Sequence, residues 1–192
     1  MNIFYLDIDP VVAAQMMVDK HVIKMILESA QMLCSAKRKL DGTPYYAQTK
    51  NGRKIKRYKL ENPNEEAIIY KECWLNHPST QWVMKSAYNY IWLYKHMMAM
   101  NDEYKLRYNH TKDHLAVEKL GELLRQPPKN INVRAIGTDA TPAMPDECIV
   151  PGDSVASYRK YYIMKKVRFA TWKAPSKMPD WFKEGVENVN NI

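Results

Sequence analysis

Apolar positions recur at helical spacing in several long stretches of the chain and alternate loosely in one short one. In the stretch VDKHVIKMILESAQML, residues 18–33, Val18, Val22, Met25, Ile26, Ala30 and Leu33 cover most of a helical wheel. This predicts a largely buried helix from about 11 to 37. Pro10 suits its first turn and Asp9 its cap. Upstream, NIFYL is a short strand or an extended arm, ended by DIDP. A second long pattern runs from Ser79 to about Tyr108, with Ser79 or Thr80 as the cap. A third covers 110–125 and stops at Pro127 and Pro128. A last long helix, capped by Asp153, is expected from Ser154 to about Thr171, and a short one over 64–74.

The joining segments differ in character. Residues 38–63 carry turn signals at Asp41-Gly42 and Asn51-Gly52, and RKIKRYKL between them and the next proline alternates loosely. A small hairpin or a basic loop fits. The coil that begins at Pro127 and runs to Asp153 is long for a structureless connection. Ile131, Val133, Ile136, Met144 and Ile149 give it apolar residues to pack against the surface. The fold class is therefore mainly α: a single compact helical domain over 1–183, with a basic insertion at about 38–63 and a tail, 184–192, that frays.

Two polar seams interrupt this apolar pattern. On the first helix, Met17, Lys24, Glu28 and Gln31 lie within about 80° of His21. The seam is too polar for core and too narrow for an ordinary solvent face. His21 and Glu28 are two turns apart, about 10.5 Å along the axis, and both can face one cleft against the middle long helix. Burial would push a carboxyl toward acid–base work. The competing reading of Glu28 is a structural ion pair with Lys24 or a distant Arg. Asp19 points elsewhere and can orient a neighbouring element. The second seam, on the middle helix, holds Lys85, Asn89, Trp92, His96 and Glu103; a mid-helix Asn needs a partner for its amide. At the mouth of that helix, Asn76, His77 and Trp82 flank a loop pinned by Pro78, a place suited to ligand contact.

Composition narrows the chemistry. The formal net charge is +8, which points to phosphate-bearing partners, DNA or nucleotides. Arg159 and Lys165 sit in SYRKYYIMKKVRF, where interleaved tyrosines suit phosphate grip with aromatic platforms; an amphipathic helix with snorkelling basic tips explains it as well. Only 6 Gly argue against a Gly-rich cofactor fold, and no cofactor is expected. Cys34, Cys73 and Cys148 are too far apart for a metal cluster or disulfide framework, so a reducing cytoplasm is the simple reading. His110 and His114 are four apart, but Thr111 stands where a zincin has Glu, so no metal site is expected. No apolar run reaches the roughly 18 residues of a membrane span, and MNIFYLDIDP lacks the basic start of a signal peptide.

The spacing Asp19, His21, Glu28 in DKHVIKMILE resembles the first long helix of the phage pyrimidine-dimer DNA glycosylase family. The likeness extends to WLYKHMMAMNDEYKLRYN and to the layout of Pro145 and Asp153 before a helix with Arg159 and Lys165. It implies a compact helical enzyme that cuts the glycosidic bond at a damaged pyrimidine and breaks the strand by β-elimination. In that family the attacking group is the α-amine exposed when Met1 is removed before a Thr, and the first-helix Glu, here Glu28, assists at the sugar. The chain departs from the pattern in several places. Residue 2 is Asn, whose bulk disfavours Met removal; Leu27 stands where the family has Arg; added residues before the helix lengthen the path from the terminus to Glu28; and 38–63 has no counterpart.

The expected function is a phage-type enzyme on DNA or nucleotides, glycosylase/lyase-like or base-modifying, working in the host cytoplasm. Glu28, His21 and His77 are its catalytic candidates. Asp19, Lys24, Asn76, Trp82, Asn89, Arg159 and Lys165 are its substrate-binding candidates. The alternatives are a non-catalytic nucleic-acid-binding accessory protein and a phage–host interaction protein with a host protein as partner.

Overall fold

Residues 2–6 take the second of the two forms open to NIFYL. In the computed structural model, which describes residues 1–190, they run as a buried extended arm with no strand partner, and Phe4 adopts a left-handed φ of 54°. Asn2 Oδ1 accepts the Ile3 amide at 2.8 Å and so braces the start of the arm. Asp9 caps α1 (Pro10–Gln15) by accepting the amides of Val11 and Val12.

The one helix expected over 11–37 is two, because α1 stops at Gln15 and α2 runs Asp19–Asp41. The break is made by a residue from another helix. Arg107 donates through Nη1 to Met17 O at 2.7 Å and through Nη2 to Gln15 O at 2.8 Å. Carbonyls at a helix end need partners, and this guanidinium supplies them.

The insertion is a hairpin. Strand β1 (Thr43–Gln48) pairs antiparallel with β2 (Lys54–Lys59), Thr43 opposite Lys59 and Gln48 opposite Lys54. Gly52, at φ 73°, makes the turn between them. Buried Arg38 on α2 ties this excursion down: it donates to Tyr58 O at 2.6 Å and Tyr70 O at 2.7 Å, and pairs with Glu66 on α3 (Pro63–Ile68) at 2.9 Å.

The second long pattern also divides, into α4 (Pro78–Lys85) and α5 (Ala87–Tyr108), at an extended Ser86 whose hydroxyl caps α5. His77, rather than Ser79 or Thr80, caps α4. The third helix is shorter than expected: α6 covers Leu115–Arg125 with His114 as its cap, so His110 and His114 do not share a helix. Helix α7 (Ser154–Lys165) has the expected Asp153 cap but ends before Thr171, in a short 3₁₀ turn at Val167–Phe169.

The tail differs from expectation. Residues Asp180–Asn190 form α8, anchored by buried Phe182 and by Trp181 and Val186 packed on the core; residues 191–192 lie outside the described residues. The coil between α6 and α7 is packed, as its apolar content suggests, though Val133 and Ile136 are exposed. Its hold comes instead from Ile131 and Ala140 in the core and from hydrogen bonds to Asp41 and Asn89. Helix α2 lies at the centre, against α4, α5 and α6. Eight helices and this one hairpin make up the regular structure of the described residues, and none of the helices is long and apolar enough to cross a membrane.

Candidate active site

Glu28 emerges from α2 at the point where the arm begins, and its carboxylate meets the amino terminus. Oε2 accepts the Asn2 amide at 3.1 Å and lies 3.6 Å from the Met1 amino nitrogen. Oε1 lies 3.3 Å from Lys24 Nζ, one turn back on the same helix. The added residues before α2 therefore do not keep the terminus away. They fold back as the arm and α1, returning residue 1 to the middle of α2.

The terminus is anchored rather than loose. The Met1 side chain is only 3% exposed, with Thr80 Oγ1 at 3.5 Å from its sulfur. Asn2 Nδ2 donates to Ala143 O at 2.8 Å. Glu28 itself is 14% exposed, enough to keep an opening to solvent.

His77 completes the group. Its Nδ1 accepts the Ser79 amide at 3.2 Å, which leaves the neutral ring's proton on Nε2. Partial burial lowers its pKa, the amino-terminal charge lowers it further, and the Glu28 carboxylate opposes both. All three groups thus share one neighbourhood, with exposed Asn76 beside it. An amine, a carboxylate and an imidazole held together can attack an electrophilic carbon and pass protons to and from it.

His21 does not join them. It is buried, stacked on Phe4 at 4.2 Å, edge-on to Phe169 and 2.7 Å from the Tyr162 hydroxyl. Burial, then the charges of Lys166 and Lys24, push its pKa down to about 3. The cleft expected between α2 and α5, shared by His21 and Glu28, is therefore absent: one residue is walled in by aromatic rings while the other faces the terminus. Five surface cavities of about 330–620 Å³ lie elsewhere on the molecule, and Glu28 lines none of these five.

Other candidates from the sequence make contacts within the fold. Asp19 is buried against Arg107 at 3.1 Å. Trp82 is 1% exposed and donates to Thr138 O at 3.0 Å. Asn89 donates to Trp82 O and accepts the Thr138 amide, so the amide that needed a partner pins the coil. Arg159 donates to Leu6 O at 2.9 Å and pairs with Asp7 at 3.2 Å, holding the arm. Lys165 is 2.8 Å from Glu147 in an exposed pair that raises the lysine's pKa. Neither Arg159 nor Lys165 is thereby free of acidic company. Asn2 and Thr80 were not singled out as site residues by their spacing; only the fold brings Asn2 to Glu28 and Thr80 to Met1. Among the described residues, no group of three or more His, Cys, Asp or Glu side chains is placed to hold a metal ion.

A family model described as pyrimidine dimer DNA glycosylase matches residues 1–116. The chain belongs to that family. The match takes in the amino terminus, Lys24, Glu28 and His77, and ends before the coil and α7, so the likeness suggested for Pro145–Lys165 lies outside it. No match is found among curated proteins or among solved structures. Membership makes this a DNA-repair enzyme of the glycosylase type, and DNA the natural substrate class.

Proposed function

We propose that the protein cuts the glycosidic bond of a dimerised pyrimidine in duplex DNA by attack of its terminal amine on the damaged nucleotide, with Glu28 moving the protons. The observation that carries this reading is the 3.6 Å separation of the Met1 nitrogen from Glu28 Oε2. A carboxylate beside the amine can take up a proton as the N–C bond forms. The N–C1′ bond forms as the bond from C1′ to the base breaks, and the leaving base takes up a proton. Opening of the sugar at C1′–O4′ leaves an iminium. Loss of a C2′ proton to a base then expels the 3′ phosphate by β-elimination, and water releases the amine.

Glu28 serves as that base, a role its contacts with the terminal amine and Lys24 support, and His77, which feels the charges of both Glu28 and the terminus, steadies them. Asn at position 2 favours retention of Met1. Were Met1 removed, the Asn2 nitrogen already lies 3.1 Å from the same oxygen, so either terminus serves.

Borohydride trapping on a duplex holding a thymine dimer tests the reading, with the adduct mapped by peptide mass. The expected adduct is on the α-amine of the terminal residue. An adduct on Lys24 would move the nucleophile, and binding with steep salt dependence but neither adduct nor cleavage would leave a non-catalytic DNA-binding protein.

A further inference from the structure

Trp74 is 69% exposed while Trp82 and Trp92 are buried and Trp172 and Trp181 are half-buried. Its backbone is left-handed, φ 51°, an unfavourable setting for a large side chain. Such strain persists only where surrounding contacts impose it, and here they do. On one side Ser35 Oγ, which donates to Gln31 O at 2.7 Å, accepts the Cys73 amide at 3.0 Å; on the other the His77 amide donates to Trp74 O at 2.9 Å. The backbone is clamped and the indole projects.

The segment carrying Trp74 runs back along α2 toward the site. Tyr70 is held by Arg38, Cys73 by Ser35, and His77 lies by Glu28 and the terminus. Ser35 and Glu28 are two helical turns apart, about 10 Å along the axis. Beside this segment stands the hairpin, anchored where Arg57 donates to Glu72 O at 2.9 Å. Between Thr43 and Lys59 it carries six cations, Lys50, Arg53, Lys54, Lys56, Arg57 and Lys59, and no acid. Lys54 lies 4.3 Å over the ring of exposed Tyr46. An unpartnered indole on a clamped loop, beside a cationic ribbon and about two helical turns of α2 from the carboxylate, fits a stacked polyanion rather than an apolar protein face.

We infer that Trp74 is a wedge that enters duplex DNA beside the nucleotide presented to Glu28, while the β1–β2 hairpin holds the flanking phosphates. The inference rests on the reading of the chain as a DNA glycosylase. An inserted ring unstacks the step it enters and kinks the duplex, which opens the C1′ of the lesion to the amine.

Two measurements decide it. In the first, single-turnover cleavage is compared for wild type, Trp74→Ala and Trp74→Phe on a thymine dimer in duplex and in single-stranded DNA. The alanine variant should lose roughly ten- to hundred-fold on the duplex and little on the single strand, with Phe recovering most of the loss. Equal rates for alanine and wild type on the duplex, or an equal loss on both substrates, would overturn the wedge. In the second, the emission of Trp74, taken as wild type minus Trp74→Phe, is followed on saturation with a duplex bearing a tetrahydrofuran abasic site. Quenching supports the wedge and unchanged emission overturns it. This readout needs no catalysis. If the wild type neither cuts nor traps, the glycosylase reading falls while the emission result still decides the wedge.

Discussion

Helix α2 carries two acidic residues in ion clusters, nine positions apart, and they have opposite characters. At its start, Asp19 meets Arg107, which also binds Glu103 Oε2 through Nε at 2.7 Å and two backbone carbonyls. Ser176 donates to the same Glu103 oxygen, and the Lys173 amide donates to Asp19. The guanidinium is wholly buried, and this cluster closes the junction of α1, α2, α5 and the chain after α7. At the middle of the helix, Glu28 has one backbone amide, an amine beyond ideal hydrogen-bonding distance and a lysine whose side chain is 70% exposed. A buried acid whose cation partner is also buried holds a fold together. A carboxylate with loose partners and an opening keeps capacity for a substrate. Burial alone does not separate the two cases; the partners do, a guanidinium with no exposure for Asp19 against a largely exposed lysine and an amine at 3.6 Å for Glu28.

Glu28→Gln should break the comparison on the catalytic side. Removing an acid–base group costs roughly 10²–10⁴-fold in rate, with the urea midpoint close to that of wild type. A variant that cuts dimer-containing duplex at the wild-type rate would reduce Glu28 to a structural acid. Arg107→Met should break it on the structural side. Asp19 and Glu103 would lose their shared cation, at a cost of about 3–5 kcal/mol in stability. Chemical denaturation measures this, and a loss below about 1 kcal/mol would show that the cluster is not what closes the junction.

The next effect is acid sensitivity. Burial pushes His21 and His96 from 6.5 down to about 3. The unfolded chain takes up these protons below 6.5 while the folded chain refuses them until about 3. Their contribution is therefore complete above pH 6.5 and falls as pH drops toward 3, by roughly 1.4 kcal/mol per pH unit for each histidine. Neither ring nitrogen of His96 has a hydrogen-bond partner, so His96→Leu should flatten the slope between pH 6 and 4 by one histidine's share. Unfolding midpoints across that range give the answer, and an unchanged slope would sink the assignment. The smallest effect is expected for Lys24→Ala. An exposed pair one turn apart is worth at most about 0.5 kcal/mol, and the trapped adduct should form undiminished. Loss of the adduct would sharpen the site differently, by making Lys24 the nucleophile.

The mainly α class, the caps at Asp9 and Asp153 and the hairpin at Asn51-Gly52 were legible because each depends on neighbours within a few residues. The breaks at Met16–Val18 and at Ser86 were not. Arg107 makes the first from another helix, and the second lies inside a pattern that reads as one continuous stripe. Glu28 and His77 stood out as polar residues in apolar or loop-tip settings. His21, Asp19 and Asn89 gave the same signal, yet the fold spends them on Tyr162, Arg107 and Thr138. A buried polar residue must find a partner, and its own spacing does not say whether that partner is protein or substrate.

Periodicity, capping residues and charge are short-range properties, and by themselves they determined the mainly helical class, several caps and the net positive charge. The meeting of residue 1 with Glu28, the clamping of Trp74 and the choice between clamp and site depend on groups dozens of residues apart. Those distances are set by packing the whole core at once, so only the tertiary structure decided them.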